Sequence, residues 1–365
     1  MQIKEITQFI ESVAPLALQE SYDNAGLILG QPDDEISGVL ISLDITEEII
    51  DEAIAKNLNL VVAHHPIIFS GIKKLNGKNY IERCVIKAIK NNIAVYAAHT
   101  NLDSVFGGVN SKICEKIDLQ NCRILAPIPD FLKKLVTFVP TEHAEKIRQA
   151  LFDAGAGNIG NYDSCSFNQN GTGSFRGNDR ANPFVGEKNQ LHYENETRIE
   201  TVFPKNIQSR VIQALLEAHP YEEVAYDIYP LENEYTQAGI GMIGELQEPM
   251  EETEFLEKLK NTFNCRVIKH THLSGNPLKR VAVCGGSGSS YLKNAIAQQA
   301  DIFISGDFKY HQFFDAEQKI VIADIGHFES EQFTKEVFYE LLTKKFPKFA
   351  VHLSAINTNP VNYFI

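Results

Sequence analysis

Apolar residues along this chain fall into two rhythms, one helical and one of short unbroken runs. MQIKEITQFIESVAP carries helical spacing with acidic residues on the polar side and predicts an amphipathic first helix. GLILG, GVLISLDI, LNLVVAHHP and IAVYAAHT are short apolar runs bounded by turn residues, and they predict buried strands. Between them TEEIIDEAIAKN, opened by Thr46 and an acidic first turn, and IERCVIKAIKNN return to helical spacing. Strands alternating with helices predict a mainly parallel sheet with helices packed over it.

The last third repeats this grammar. RVAVCGGSGSS predicts a strand entering a Gly/Ser turn, SSYLKNAIAQQA a helix, DIFISGD and KIVIADIGH two strands, and FESEQFTKEVFYELLTKKF one long helix. The middle differs. KLVTFVP, TEHAEKIRQALFDAG, NYDSCSF, a long polar loop, TRIETVFP, KNIQSRVIQALLEAH and EEVAYDIYPL give the βαββαβ order of a ferredoxin-like unit. Pro127 and Pro129 mark its entry and ENEYTQAGIG its exit. The expected organisation is therefore an α/β core made of 1–128 and 235–365, with an α+β domain at 129–234 inserted into one of its loops, which surface loops tolerate.

Composition narrows the function classes. At 365 residues the chain exceeds one ordinary core, and 44% hydrophobic residues supply ample interior. A formal net charge of -13 argues against a nucleic-acid-binding surface, since phosphate contacts require clustered Lys and Arg. The six cysteines form no CxxC pair, and Cys84 and Cys284, flanked by apolar residues, read as reduced core cysteines. No run approaches the ~18 apolar residues of a membrane span, and the start lacks the basic and apolar regions of a signal peptide. A soluble cytoplasmic protein is expected.

Candidate chemistry gathers where the predicted strands end. VVAHHP places His64 and His65 there, AAHTNLD places His99 and Asp103, and GHFESE places His327 and Glu331. In open α/β sheets ligands collect beyond the carboxyl ends of the strands. An HH pair directly after LVVA is costly to bury without partners, and Pro66 pushes His65 toward extended geometry, so the two rings can face neighbouring ions. Asp103 offers two oxygens and is read as a bridging ligand or, alternatively, as the Asx turn of TNLDS. His99 is read as a ligand, a donor behind the ligands, or part of the wall. His327 and Glu331, four apart at a helix start, share one face, while Glu329 points elsewhere. Six such groups exceed the needs of one ion and point to two. A set rich in nitrogen and oxygen without thiolate suits zinc, which is set first, or iron(II) or manganese. Two ions about 3.5–4 Å apart make hydroxide available near neutral pH, which is equipment for hydrolysis. Asp44, Lys309 and His311 are read as lining the same crevice. In the GGSGSS turn, Gly285, Gly286 and Ser287 are read either as a packing turn or as a backbone nest for an anion.

With these motifs in view, the chain resembles the Nif-three-like dinuclear-metal-centre family, also named GTP cyclohydrolase 1 type 2. The matching stretches are YDNAGLILG (21–30), AHHPIIF (63–69), AHTNLDS (98–104), CGGSGSS (284–290), SGDFKYH (305–311) and GHFESE (326–331). Tyr22 stands where that family often has Trp. The resemblance implies two divalent ions held by His64, His65, Asp103, His327 and Glu331. It implies a toroidal homohexamer whose openings are capped by trimers of an inserted domain similar to PII and CutA proteins. It also implies a metal-dependent hydrolase acting on a nucleotide, with opening of the guanine ring as the family label. The competing expectation is a regulatory or scaffold hexamer whose insert senses a ligand or docks a partner.

Overall fold

The computed structural model describes residues 1–364. The chain divides into two compact units, one made of residues 1–126 and 238–365 and the other of residues 127–237.

The first unit is mixed α/β with two sheets. One has the strand order Gly26–Leu29, Ala94–Ala97, Leu60–Ala63, Val39–Ser42 and Val351–Leu353, parallel throughout except for the first pair. Its three central strands are buried at every position, which is why they read as unbroken apolar runs and not as alternation. The helix Glu47–Ala55 is capped by Thr46, whose hydroxyl accepts from the Ile49 N–H. It packs with Tyr80–Lys90, capped in the same way by Asn79, over a core containing Ile49, Val61, Cys84, Val85 and Val95.

The other sheet runs Lys269–His270, Val321–Asp324, Ile302–Ser305, Leu278–Val283, Tyr235–Met250, Gln120–Ile128. Its three strands Leu278–Val283, Ile302–Ser305 and Val321–Asp324 are parallel, with antiparallel neighbours on both sides. The stretch read as a domain exit thus opens a strand of 16 residues, Tyr235–Met250. The long helix expected from FESEQF onward is two helices, His327–Glu331 and Thr334–Lys345. Gln332 breaks it: its Nε2 donates to the Glu329 carbonyl, which a continuous helix would offer to Phe333, and to the Phe263 carbonyl.

The second unit has the strand order Ser166–Phe175, His192–Pro204, Leu132–Pro140, Tyr226–Pro230, antiparallel throughout. Helices Ala144–Asp153 and Gln208–Ala218 complete the βαββαβ order. Ile147, Leu151, Val211 and Leu215 meet Leu135, Val139, Ile199 and Phe203 in its core. Much of what read as a polar loop is strand. Ser166–Phe175 pairs along its whole length with His192–Thr201. It shows no alternation because it is an edge strand exposed at most positions.

Candidate metal centre

Sheet topology explains why residues far apart in sequence meet. In the first unit, Leu60–Ala63 ends at His64 and His65, Ala94–Ala97 runs on to His99 and the helical turn Thr100–Asp103, and Val321–Asp324 ends before His327–Glu331. All are parallel-sheet strands delivering their carboxyl ends. Two groups of donors result: His64, Asp103 and Glu331 form one, and His65, His327 and Glu331 the other, with the donor atoms of each within 4.8 Å of one another. His99 joins His64 and His65 in a third grouping.

Glu331 is the shared carboxylate. Its Oε1 lies 3.7 Å from His64 Nε2, and its Oε2 lies 3.0 Å from both His65 Nε2 and His327 Nε2. Asp103 Oδ1 is 3.7 Å from His64 Nε2. Asp103 belongs to one of these two groups and Glu331 to both, so Glu331, not Asp103, is the carboxylate they have in common, and its helix carries it between the histidines.

Each imidazole is oriented from behind. His64 donates through Nδ1 to the Ala98 carbonyl at 2.9 Å, which leaves Nε2 as the unprotonated nitrogen. His65 Nδ1 meets Asp44 Oδ1 at 2.7 Å, and Thr358 donates to the other oxygen of Asp44. His327 Nδ1 meets Asp307 Oδ2 at 2.7 Å, and Ser287 donates to that same oxygen. His99 Nδ1 meets Asp23 Oδ1 at 2.8 Å, while Thr100 bonds Asp23 Oδ2 through its N–H and hydroxyl. Carboxylates behind metal-facing histidines fix the tautomer and raise ligand basicity.

Charge follows from these contacts. Burial pushes the His64 pKa down. Burial also opposes charge on His65 and His327, but the carboxylates outweigh it and raise them to about 9 and about 11. Burial and then the neighbouring Glu331 charge drive Asp103 well above the usual carboxylate range. Burial opposes charge on Glu331, yet His327, His64 and His65 hold it well below that range. Ionisation of Asp103 is thus disfavoured and protonation of His65 and His327 favoured, a proton load of the kind that cations displace on binding.

Three buried atoms here have no aligned hydrogen-bond partner among the described residues: His64 Nε2, Asp103 Oδ1 and Glu331 Oε2, the last held in ionic contact by His65 and His327 at 3.0 Å without hydrogen-bond alignment. Sealing such atoms away unpaired costs about 1–3 kcal/mol each. All three are metal-ligating atom types from the groups just described. The donor set fits divalent cations.

The centre opens into a cleft of about 1390 Å³. Asp44, Gly285 and Ser287 line it; Lys309 and His311 do not. Lys309 instead caps the segment Tyr310–Ala316, where its N–H bonds Gln312 Oε1, and His311 packs with the exposed rings of Tyr310 and Phe314. Of the two readings of the GGSGSS turn, the hydrogen bonds favour the packing turn. The N–H groups of Gly285, Gly286 and Gly288 are taken by Asn110 Oδ1, Ser330 Oγ and Ser305 Oγ. Gly286, at φ 62°, instead makes room for Glu331, since a Cβ there would collide with Glu331 Oε1. As expected, Glu329 turns away, its carboxylate lying over Gly326 and accepting from Asn359.

In the sequence, Tyr22-Asp23-Asn24 reads either as a turn or as polar groups reaching the site, and Thr358 carries no signal at all. Sequence reading also passed over Phe69, Ile72, Lys73, Lys74 and Tyr80, which line the cleft beside the centre. A polar group after an apolar run was the signal available for Asp44 and Asp307. Nothing comparable marked the cleft wall, which comes from the irregular segment 65–79.

A family model described as Duf34/NIF3 (NGG1p interacting factor 3) matches residues 1–360. A Bacillus subtilis protein named GTP cyclohydrolase 1 type 2 homolog is 40% identical over 366 residues, covering 99% of this chain and 98% of that one. A Staphylococcus epidermidis protein of the same name is 34% identical over 368 residues, covering 100% of both. A solved Bacillus cereus protein related to NIF3 matches with a TM-score of 0.85 at 40% identity, covering 100% of this chain and 99% of that one. A solved Staphylococcus aureus protein matches with a TM-score of 0.79 at 28% identity over 100% and 99%.

Proposed function

The chain belongs to the Duf34/NIF3 family, and from that premise we propose that it binds two divalent cations around Glu331 and hydrolyses a small nucleotide-like substrate in the adjoining cleft. The observation that carries this reading is the convergence of three buried donor atoms without an aligned hydrogen-bond partner, His64 Nε2, Asp103 Oδ1 and Glu331 Oε2. His64 and Asp103 would hold one cation, His65 and His327 the other, and Glu331 both, with zinc set first. Cations so held supply Lewis acidity and acidify water for attack on a carbon or phosphorus centre. Asp44 and Asp307 orient His65 and His327. His99 is held by Asp23 beside both groups, where it is placed to exchange a proton with substrate.

The cleft supports the substrate class. Phe69, Ile72 and Tyr80 give an apolar wall for a ring, and Lys73 and Lys74 add positive charge for an anionic group. The name borne by the relatives points to guanine ring opening, in which one water opens the imidazole and a second releases C8 as formate. Zinc titration of chelator-treated protein, followed by a screen of the loaded protein against GTP, phosphoesters and cyclic amides, tests the proposal. Two zinc ions per chain and turnover abolished in His65→Ala are expected. Loaded protein that turns over nothing faster than His65→Ala defeats the hydrolase reading.

The βαββαβ unit at 127–237 favours a second reading, in which a PII- or CutA-like domain gives the chain a regulatory role within a toroidal homohexamer. Light scattering on the full chain tests that assembly, and a monomer at micromolar concentration overturns it.

A further inference from the structure

The second unit contains a cavity of its own, about 540 Å³, within the size range of small-molecule pockets. It lies on the sheet face opposite the helices. Along His192–Pro204 the residues Thr197, Ile199 and Thr201 are buried toward the core, while Glu196, Arg198 and Glu200 alternate with them and are only partly buried. Phe138, opposite Arg198 on the next strand, shares that face.

Two features distinguish this cavity from an incidental gap. First, four aromatic rings line it. Phe175 and Phe184 stand 5.8 and 6.4 Å from Tyr221, centroid to centroid, with Phe138 also lining the space. Second, a carboxylate and a guanidinium line it with hydrogen-bonding capacity to spare. Glu196 Oε1 accepts from the Tyr221 hydroxyl at 3.0 Å, and among the described residues Oε2 has no donor. The carboxylate rests against Gly173, where a Cβ would occupy its place. Arg198 is anchored at Nη2 by Glu200 at 2.8 Å, and Lys134 holds the other oxygen of Glu200 at 3.0 Å. That leaves Arg198 Nε buried without an acceptor.

We propose that this cavity binds a purine-type base, a flat ring that stacks among Phe175, Phe184 and Tyr221 and presents an N–H edge to Glu196 and an acceptor to Arg198. Aromatic faces accept any planar ring. The polar pair selects among them: a carboxylate matches adjacent N–H donors of the guanine kind, and an adenine edge offers it fewer. Discrimination comes from leaving a built-in polar group unpaired with the wrong ligand. The site is independent of the metal centre and of any hydrolysis there.

The test is calorimetric titration of guanosine and of adenosine into the full chain, treated with chelator, as wild type, Phe184→Ala and Glu196→Gln. Phe184 is half exposed and Gln is isosteric with Glu, so both variants retain the fold. Guanosine is expected to bind more tightly than adenosine. Phe184→Ala should weaken both by about tenfold, and Glu196→Gln should remove the preference. No binding of either nucleoside at millimolar concentration overturns the proposal. So does binding that survives unchanged in both variants, because the ligand then sits elsewhere on the chain.

Discussion

Replacing Gly286 by Ala tests whether the glycine turn serves the metal centre. Gly286 has φ 62°, a conformation that costs a side-chain-bearing residue about 1–2 kcal/mol. A Cβ there would also strike Glu331 Oε1 and approach His327 Cε1 at 3.3 Å. Gly275 supplies the control: its φ is 77°, but nothing lies within 4 Å of its Cβ position. Gly275→Ala therefore carries the backbone strain alone. At about 2–4 °C per kcal/mol for a domain of this size, it should lower the melting temperature by a few degrees and leave zinc binding intact. Gly286→Ala carries that strain and also forces the shared carboxylate away from His65 and His327. Breaking a buried ionic contact costs roughly 3–5 kcal/mol. Losing even a group behind the ligands weakens metal binding about 10–100-fold, so displacing Glu331 should reach at least the upper end of that range. The assay is thermal unfolding with and without zinc, paired with calorimetric zinc titration of wild type and both variants. If Gly286→Ala binds zinc with wild-type affinity and stoichiometry, the role assigned to the glycine and the shared position of Glu331 are both wrong.

Asp307→Asn and Asp44→Asn remove the charge behind His327 and His65. Each should weaken zinc binding about 10–100-fold with little change in circular dichroism, and unchanged affinity in both would show that the two carboxylates do not tune the centre. Asn110 joins the Asp103 carbonyl at 3.0 Å to the Gly285 N–H at 2.9 Å and is buried. Asn110→Ala orphans both groups and should cost about 1–3 kcal/mol in denaturant unfolding. His219 in the second unit is held neutral: its Nε2 meets the Phe138 carbonyl at 3.1 Å, and its Nδ1 accepts from the Tyr221 N–H. Burial depresses its pKa, against the opposing pull of the Phe138 carbonyl and with a smaller contribution from His143. The unfolded chain takes up that proton near pH 6.5, before the folded one does, so stability contributed by neutral His219 is present above ~6.5 and lost as pH falls toward the folded value. Denaturant midpoints read from resonances of residues 127–237 should fall with acid in this window, and less steeply in His219→Gln; equal slopes refute the assignment.

The central parallel strands of the first unit were legible because each is buried on both faces, whereas the exposed strands Lys269–His270 and Val351–Leu353 were not. LVVA, AVYA and VIAD leave no doubt about where an apolar run stops, and a parallel sheet converts each stop into a position at the same edge. His64, His65 and His327 were therefore placed by their neighbours in sequence before any distance was known. Local pattern fails where one face is wet or where a side chain overrides the backbone. Ser166–Phe175 is an exposed edge strand with no alternation to read. Gln332 ends a helix through bonds to carbonyls, and no hydrophobic spacing records those bonds.

The same reasoning separates the two tiers of the candidate centre. The residues of the candidate cation groups follow strand ends, so a one-dimensional rule finds them. The groups behind them pair across the chain: Asp23 with His99 over 76 residues, and Thr358 with Asp44 over 314. No local rule reaches such pairs. The glycine turn shows the limit most sharply. GGSGSS after a strand has the composition of an anion nest, and composition alone leaves open whether its N–H groups face a ligand or the protein. Asn110, Ser330 and Ser305 take three of those N–H groups, so the turn acts through the space its glycine leaves for Glu331. Under the proposed function, the positive charge for an anionic group would then come from Lys73 and Lys74 on the cleft wall and not from the turn.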